Sequence, residues 1–483
     1  MIRPLLAAAV SGLALVTALP AAAEPLDPAA RQAILADVDQ RAPALAETAK
    51  AIWDFAEVGF QETRSSALLQ AQLRKAGFTV EAGVAGMPTA FVARFRQGTG
   101  GPVIGVLAEF DALPGLAQTA APEREAIPGR AAGHGCGHNL FGAASVTAAI
   151  AVRDWMIAHK VSGEIRIYGT PAEEGGSGKV YMVRAGLFDD VSAVLHWHPG
   201  DSNAVSLGKS QANISGKFRF HGVAAHASAS PDKGRSALDG VEVMDVAVNF
   251  LREHVPIGTR IHYVITQGGE APNVVPAFAE SYYYVRHTNP DVVRSVMDRV
   301  RKAAEGAAIA TGTSVEFEAT GGVYSMLANE TLARVMHQNL STVGGAQWND
   351  AERAWATRLQ ASLPSRVPLE RAAEVRPIEN GDGGGSTDVA DISWVVPTVG
   401  LGAATWVPGT PAHSWQAVAA SGNSIGAKGG VVAAKTIALT AAELFGSPET
   451  LAAARAELLQ RRGPDFRYAP LLGDRKPALD YRK

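Results

Sequence analysis

The segment running from Val103 to Gly169 decides the architecture. It opens VIGVLAEFD (103–111), passes through GHGCGHN (133–139) into the alanine-rich NLFGAASVTAAIAVRDWMIAH (139–159), and closes EIRIYG (164–169). The two short apolar runs, Val103 to Phe110 and Glu164 to Gly169, read as buried strands, and the stretch between them carries apolar residues at helical spacing. Strands separated by helices predict the α/β class, with a mostly parallel sheet covered by helices on both faces. Such sheets bind ligands beyond the carboxyl ends of their strands. In this segment those ends carry Glu109 and Asp111 after the first strand, and the pair Glu173 and Glu174 after the second.

Working outward, the chain begins MIRPLLAAAVSGLALVTALPAAA, with Arg3 ahead of an apolar stretch and small residues at Ala21 to Ala23. This is the pattern of a cleavable leader spanning residues 1–23, so a periplasmic or secreted protein is expected. No later stretch reads as apolar for long enough to span a bilayer, so no membrane partner is expected. A net charge of -3 gives no electrostatic reason to expect nucleic acid. The single cysteine, Cys136, cannot form an intrachain disulfide.

A chain of 483 residues is too long for one small core. The texture changes near Ser206: Ile214 to Phe220 alternates, Arg235 to Arg252 looks helical, Arg260 to Thr266 and Ala279 to His287 look like strands, Pro290 to Ala308 is helical, and Ser314 to Thr320 alternates again. We expect a catalytic domain in two parts, 24–205 and 322–446, interrupted by an α+β domain with an antiparallel sheet at 206–321. Residues 447–483 form a tail, whose Arg- and Pro-rich end is expected to wrap the surface or stay mobile. The polar stretch from Gly345 to Glu379 lacks periodicity and reads as a surface excursion.

Several motifs carry chemistry. In GHGCGHN, His134, Cys136 and His138 alternate, so an extended backbone would put all three on one side. Thiolate and imidazole suit zinc and its neighbours, but the spacing equally admits a buried structural cysteine or a Cys/His nucleophilic pair. Glu173 and Glu174 are either a solvated acidic pair or a metal ligand beside a base. His196 and His198 share one face of a strand. His413 follows the strand-like Pro397 to Ala403 and gains meaning only as a last member of the same set. The run GDGGGSTD (381–388) lacks the endings of nucleotide-binding loops and reads as a flexible loop lining a substrate site.

Taken in order, EFDALPG, GHGCGHN, PAEEGGSGK, LHWHPG, AHASASP, GGSTDVADISW and GTPAHSWQ resemble the co-catalytic metallopeptidase family that includes aminoacylase and carboxypeptidase G. Within it they are most similar to the amidohydrolase branch and the aminobenzoyl-glutamate hydrolase B-subunit type, over about residues 30 to 450. The resemblance implies an enzyme, a metal-dependent hydrolase of linear amides with two divalent metal ions, zinc or manganese. It implies Cys136, His138, Glu174, His198 and His413 as metal ligands, Glu173 as general base and Asp111 as the acid that orients a ligand. Glu109 stands where other branches have a metal-binding histidine, and Asn139 where much of the branch has aspartate. The interrupting domain looks like the family's lid and dimerisation domain, with His226 reaching an active site, commonly the partner subunit's, and Asn273 and Arg286 holding substrate. The expected substrate is a small amide with a free carboxylate, an N-acyl or N-aroyl amino acid, with a dipeptide as the alternative. The expected assembly is a homodimer or higher homo-oligomer.

Overall fold

The computed structural model describes residues 26–482, so the expected leader lies outside the described residues. Its larger sheet has seven strands in the order Thr79–Ala82, Phe91–Gln97, Gly163–Gly169, Val103–Ala108, Ala193–Gly200, Thr398–Ala404 and Ala204–Val205. The four inner strands run parallel, and the outer ones pair antiparallel. The two strands read from sequence are neighbours at the sheet centre, and every residue of both is buried.

The alanine-rich run forms the helix His138–His159, which enters through Gly137 at φ 74° and leaves through Lys160 at φ 54°. It packs against the helices Pro28–Phe55 and Ser424–Phe445. Small side chains allow this close packing: a Cβ on Gly430 would sit 3.4 Å from Leu45 and 3.8 Å from Ala144. His138–His159 and Ser424–Phe445, at 22 residues each, are long and apolar enough to cross a membrane by composition, contrary to the sequence reading. Both are mostly buried within the protein, where alanine and glycine serve helix-to-helix contact.

The second sheet is antiparallel throughout, in the order Arg260–Gln267, Phe278–His287, Ala212–His221 and Ser314–Val323. The helices Ala237–Leu251 and Pro290–Thr311 cover it, burying Val241, Met244, Val248, Val293, Val296 and Val300 against Phe218, Phe220, Tyr283 and Val285. Ser236 and Asn289 cap these helices with their side chains, which fixes where each begins.

One expectation is corrected. The excursion at 345–379 contains the helix Asp350–Gln360, opened by a reciprocal capping box between Asn349 and Glu352. The tail opens with the helix Pro448–Arg462, and its end wraps the surface, the first of the two expected alternatives: Leu471 and Leu472 are buried, and Tyr181 donates to the Lys476 carbonyl.

Candidate metal centre and active site

The carboxyl ends of the four parallel strands converge. Val103–Ala108 leads into Glu109 and Asp111, Gly163–Gly169 into Glu173 and Glu174, Ala193–Gly200 carries His196 and His198, and Thr398–Ala404 leads toward His413. Ligand atoms of Cys136, His138 and His198 lie within 4.8 Å of one another. The same limit holds for Cys136, Glu174 and His413, and for His138, Glu173 and Glu174. Cys136 thus belongs to two triads that diverge from its sulfur, with His198 Nε2 3.5 Å from Sγ.

The convergence depends on irregular backbone. GHGCGHN does not extend as the alternation rule assumed; it turns at Gly137 and hands His138 to the helix. His134 is consequently turned away, its Nε2 against the Ile52 carbonyl at 3.0 Å. Glu173 and Glu174 lie on a tight turn rather than an extended strand end, with Ala172 at φ 57°, Gly175 at φ 89° and Ser177 at φ 55°. His413 itself has φ 58°, held by its amide donating to the Gly135 carbonyl at 2.9 Å. Left-handed residues other than glycine cost about 1–3 kcal/mol each and persist where the surroundings enforce them.

His138 is fully buried, with Nδ1 2.8 Å from Asp111 Oδ1 and Nε2 3.1 Å from Glu109 Oε2. Asp111 also accepts the Glu174 amide at 2.9 Å, so one carboxylate orients two members of the cluster. Burial opposes charge on His138, but Asp111 and Glu109 outweigh it and hold the imidazole well above its usual range. Burial lowers His198 to about 4, leaving it neutral, the form that ligates metal. Burial also pushes the Cys136 thiol up, which disfavours a free thiolate nucleophile and leaves a cation to stabilise the thiolate. Glu173 is raised well above the carboxylate range, first by burial and then by Glu109 and Glu174. Glu174 goes the other way: burial would raise it, but the His413 imidazole, 3.3 Å from its Oε1, and the charge of His138 lower it.

The residues fit a metal centre on their own chemistry. His138 Nε2 and Glu174 Oε1 are buried and without a hydrogen bond, His138 Nε2 facing Glu109 Oε2 at 3.1 Å and Glu174 Oε1 facing His413 Nε2 at 3.3 Å. A soft thiolate shared by imidazoles and a carboxylate is a donor set for zinc-like divalent ions. Asp111 on Nδ1 leaves Nε2 as the nitrogen that would face an ion, the usual arrangement of a carboxylate behind a ligating histidine.

Sequence reasoning missed Lys179. It is fully buried, with Nζ 2.7 Å from Glu109 Oε1 and 2.7 Å from Asp388 Oδ1. Its cation occupies one side of Glu109, so the residue standing in place of a ligand histidine is engaged by an ammonium. The signal was a lysine ending PAEEGGSGK and an aspartate ending GDGGGSTD, two charges inside glycine-rich runs. Glu62 was missed too: buried, it accepts the Ala172 amide at 2.9 Å, and burial followed by the Asp111 charge raises it to about 8.

The remaining assignments separate. His196 and His198 border a cavity of about 430 Å³ together with Gly381, Gly383 and Gly385, so the glycine-rich loop does line a cavity at the site. His196 belongs to none of the triads and lies opposite Gly400 on the neighbouring strand. Asn139 is buried and donates to the Ala49 and Ser421 carbonyls, a structural role. His226 and Asn273 meet on an exposed loop, where the Ala227 amide donates to the Asn273 carbonyl. Among the described residues no hydrogen bond or ion pair joins either to the cluster. Arg286 lies on the strand Phe278–His287, its guanidinium 5.3 Å over Tyr284 and its buried Nε without a partner.

Residues 105–360 match peptidase family M20/M25/M40. The chain is 44% identical over 428 residues to the B-subunit of the p-aminobenzoyl-glutamate hydrolase of Escherichia coli, covering 83% of this chain and 88% of that one. It is 29% identical over 434 residues to Xaa-Arg dipeptidase of mouse, covering 87% and 90%. Its fold resembles a dinuclear metal-binding M20 peptidase from Bacillus subtilis, with a TM-score of 0.53 at 20% identity, over 82% of this chain and 99% of that one. With its converging carboxylates, imidazoles and thiol, the chain belongs to peptidase family M20/M25/M40 and is a metal-dependent amide hydrolase.

Proposed function

We propose that the chain is an exported amidohydrolase that cleaves the amide bond of N-acyl or N-aroyl amino acids, with conjugates like aminobenzoyl-glutamate as the leading class. The observation that carries this reading is the cysteine shared by two ligand triads with Glu173 beside them. Cys136, His138 and His198 would hold one divalent ion and Cys136, Glu174 and His413 the other, zinc or manganese in each. Such ions, when bound, activate water and polarise the carbonyl.

Glu173 takes the proton from the attacking water and delivers it to the leaving nitrogen. Its raised proton affinity suits both halves of that transfer once neighbouring cations bring it toward neutrality. Asp111 keeps His138 in one tautomer throughout. Arg286, a planar fork with an unpartnered buried nitrogen, receives the substrate carboxylate, and Asn273, on the exposed loop with His226 at the other end of that sheet, helps hold the substrate. His226 supplies a donor to the developing oxyanion in the neighbouring subunit's site. A second copy is supported by the exposed Val243, Val246 and Phe250 on the helix Ala237–Leu251 and by the open edge of Arg260–Gln267. The leader supports export to the periplasm, where such an enzyme would free amino acids or aromatic acids from conjugates.

Similarity to a dipeptidase favours cleavage of dipeptides as the second reading. A panel of acyl-glutamates and dipeptides separates the two. Glu173→Gln should cost at least about 10²-fold in turnover, the scale of lost acid/base catalysis, with metal content and folding kept. Activity within a few-fold of the native enzyme would remove Glu173 from its role.

A further inference from the structure

The turn that carries Glu173 and Glu174 is irregular at Ala172, Glu174, Gly175 and Ser177, and four backbone amides in and around it have distinct anchors. The Ala172 amide goes to Glu62, the Glu174 amide to Asp111, the Gly176 amide to the Ala172 carbonyl and the Lys179 amide to Asp388. The Glu174 carbonyl is held differently. The Tyr481 hydroxyl donates to it at 2.9 Å and Arg482 Nη2 donates to it at 2.8 Å, both from the tail.

The tail is seated for this contact. Gln61 Nε2 donates to the Leu479 carbonyl at 2.7 Å, and the Tyr481 ring meets Phe60 edge-on at 5.6 Å between centroids. A side chain at Gly59 would overlap the Tyr481 hydroxyl. Further back, Arg475 donates to the Ala319 carbonyl at 2.7 Å, on a strand of the second sheet. The tail therefore straps that sheet to the turn, and it walls one side of a cavity of about 540 Å³ between them, shared with Lys217, Tyr282 and Tyr284.

We propose that Tyr481 and Arg482 are positioning residues: by fixing the Glu174 carbonyl they set the direction of the Glu173 and Glu174 side chains. This rests on the roles proposed above for those two carboxylates. Neither tail residue touches the reacting atoms; each acts through one peptide group. Outer partners of a metal site typically contribute about 10–100-fold in metal affinity or activity.

Four variants test this: Tyr481→Phe, which keeps the ring against Phe60, Arg482→Ala, Arg482→Lys, and a chain ending at Ala478. Kinetics on the hydrolysed amide, metal affinity by competition with a chelating dye, and amide exchange at 174–178 in the metal-free protein are read together. Tyr481→Phe should lower kcat about 5-fold and Arg482→Ala about 10-fold, the scale of a neutral and a charge-assisted hydrogen bond, with KM within twofold. The truncated chain should lose more, and Arg482→Lys should recover part of the Arg482→Ala loss. Exchange at 174–178 should quicken in each variant, and that readout stands even if no tested amide is hydrolysed, so failure of the substrate assignment is told apart from failure of the strap. Unchanged kcat, metal affinity and exchange in Arg482→Ala and Tyr481→Phe would overturn the proposal. So would a rise in kcat on truncation, which would make the tail a cover over the site. Should the truncated chain not fold, Tyr481→Phe decides.

Discussion

Lys179→Met replaces a buried ammonium by an apolar side chain of similar length and leaves two carboxylates facing each other. In the native protein Lys179 Nζ sits 2.7 Å from Glu109 and 2.7 Å from Asp388, all three within 1% of full burial. Removing one partner of a buried pair costs about 3–5 kcal/mol because a charge is left uncompensated. With a urea slope of about 3 kcal/mol per M, the unfolding midpoint should fall by about 1 to 1.7 M. The loss should depend on pH, with a definite sign. Burial, the first cause, already raises Glu109 and Asp388 above the ordinary carboxylate range, and Lys179 opposes the rise. Without the lysine both shift further up, so the folded state holds more protons than the unfolded one, and stability falls as pH rises above the ordinary carboxylate range. Lys179→Met should therefore be less destabilised at pH 5 than at pH 8. The double variant Lys179→Met, Asp388→Asn should recover part of the loss, since one stranded charge is gone. Urea unfolding followed by far-ultraviolet circular dichroism at the two pH values checks this. A midpoint shift under about 0.3 M at pH 8, or a larger shift at pH 5 than at pH 8, would refute the reasoning.

Prolonged chelation should inactivate the enzyme, and zinc, manganese or cobalt should restore it; alkylation of Cys136 should be slow in the metal-loaded form and fast after chelation, and full activity in metal-free protein would count against the ligand set. His226→Ala and His413→Ala should each be inactive alone. Mixed under subunit exchange, they should recover up to about half the native activity per heterodimer, by counting sites in a two-fold dimer, whereas exchange without recovery would place His226 in its own chain's site.

What could be read from sequence follows from how each element is held. The central strands are buried on both sides and the alanine-rich helix is packed all round, so an unbroken apolar texture marked them. The helices Ala237–Leu251 and Pro290–Thr311 bury one stripe and are capped by Ser236 and Asn289, so period and cap agreed. The helix Asp350–Gln360 escaped because its apolar face is short, Ala356 and Leu359 with a half-buried Trp355, although the N-x-x-E spacing of its capping box was there to be seen. The end of the tail, beyond Arg462, escaped because it is held by single contacts that leave no period. In the site, the alternation of His134, Cys136 and His138 misled because the intervening glycines bend the chain. Lys179 was missed because a lone lysine after a glycine run is normally solvated, and only the neighbouring strand ends reveal its two carboxylates.

The strand Thr398–Ala404 enters the larger sheet between Ala193–Gly200 and Ala204–Val205, not at its rim. A chain emerging during synthesis therefore lacks an interior strand until nearly all of it is available. Until then Ala193–Gly200 presents an open row of backbone donors and acceptors, a template for pairing with another chain. The same partial chain already carries Cys136, His138 and His198, three donors able to capture a soft metal ion with His413 still absent. Maturation thus passes through a state at risk of both aggregation and mismetallation, and docking of one short glycine-rich strand ends both risks at once.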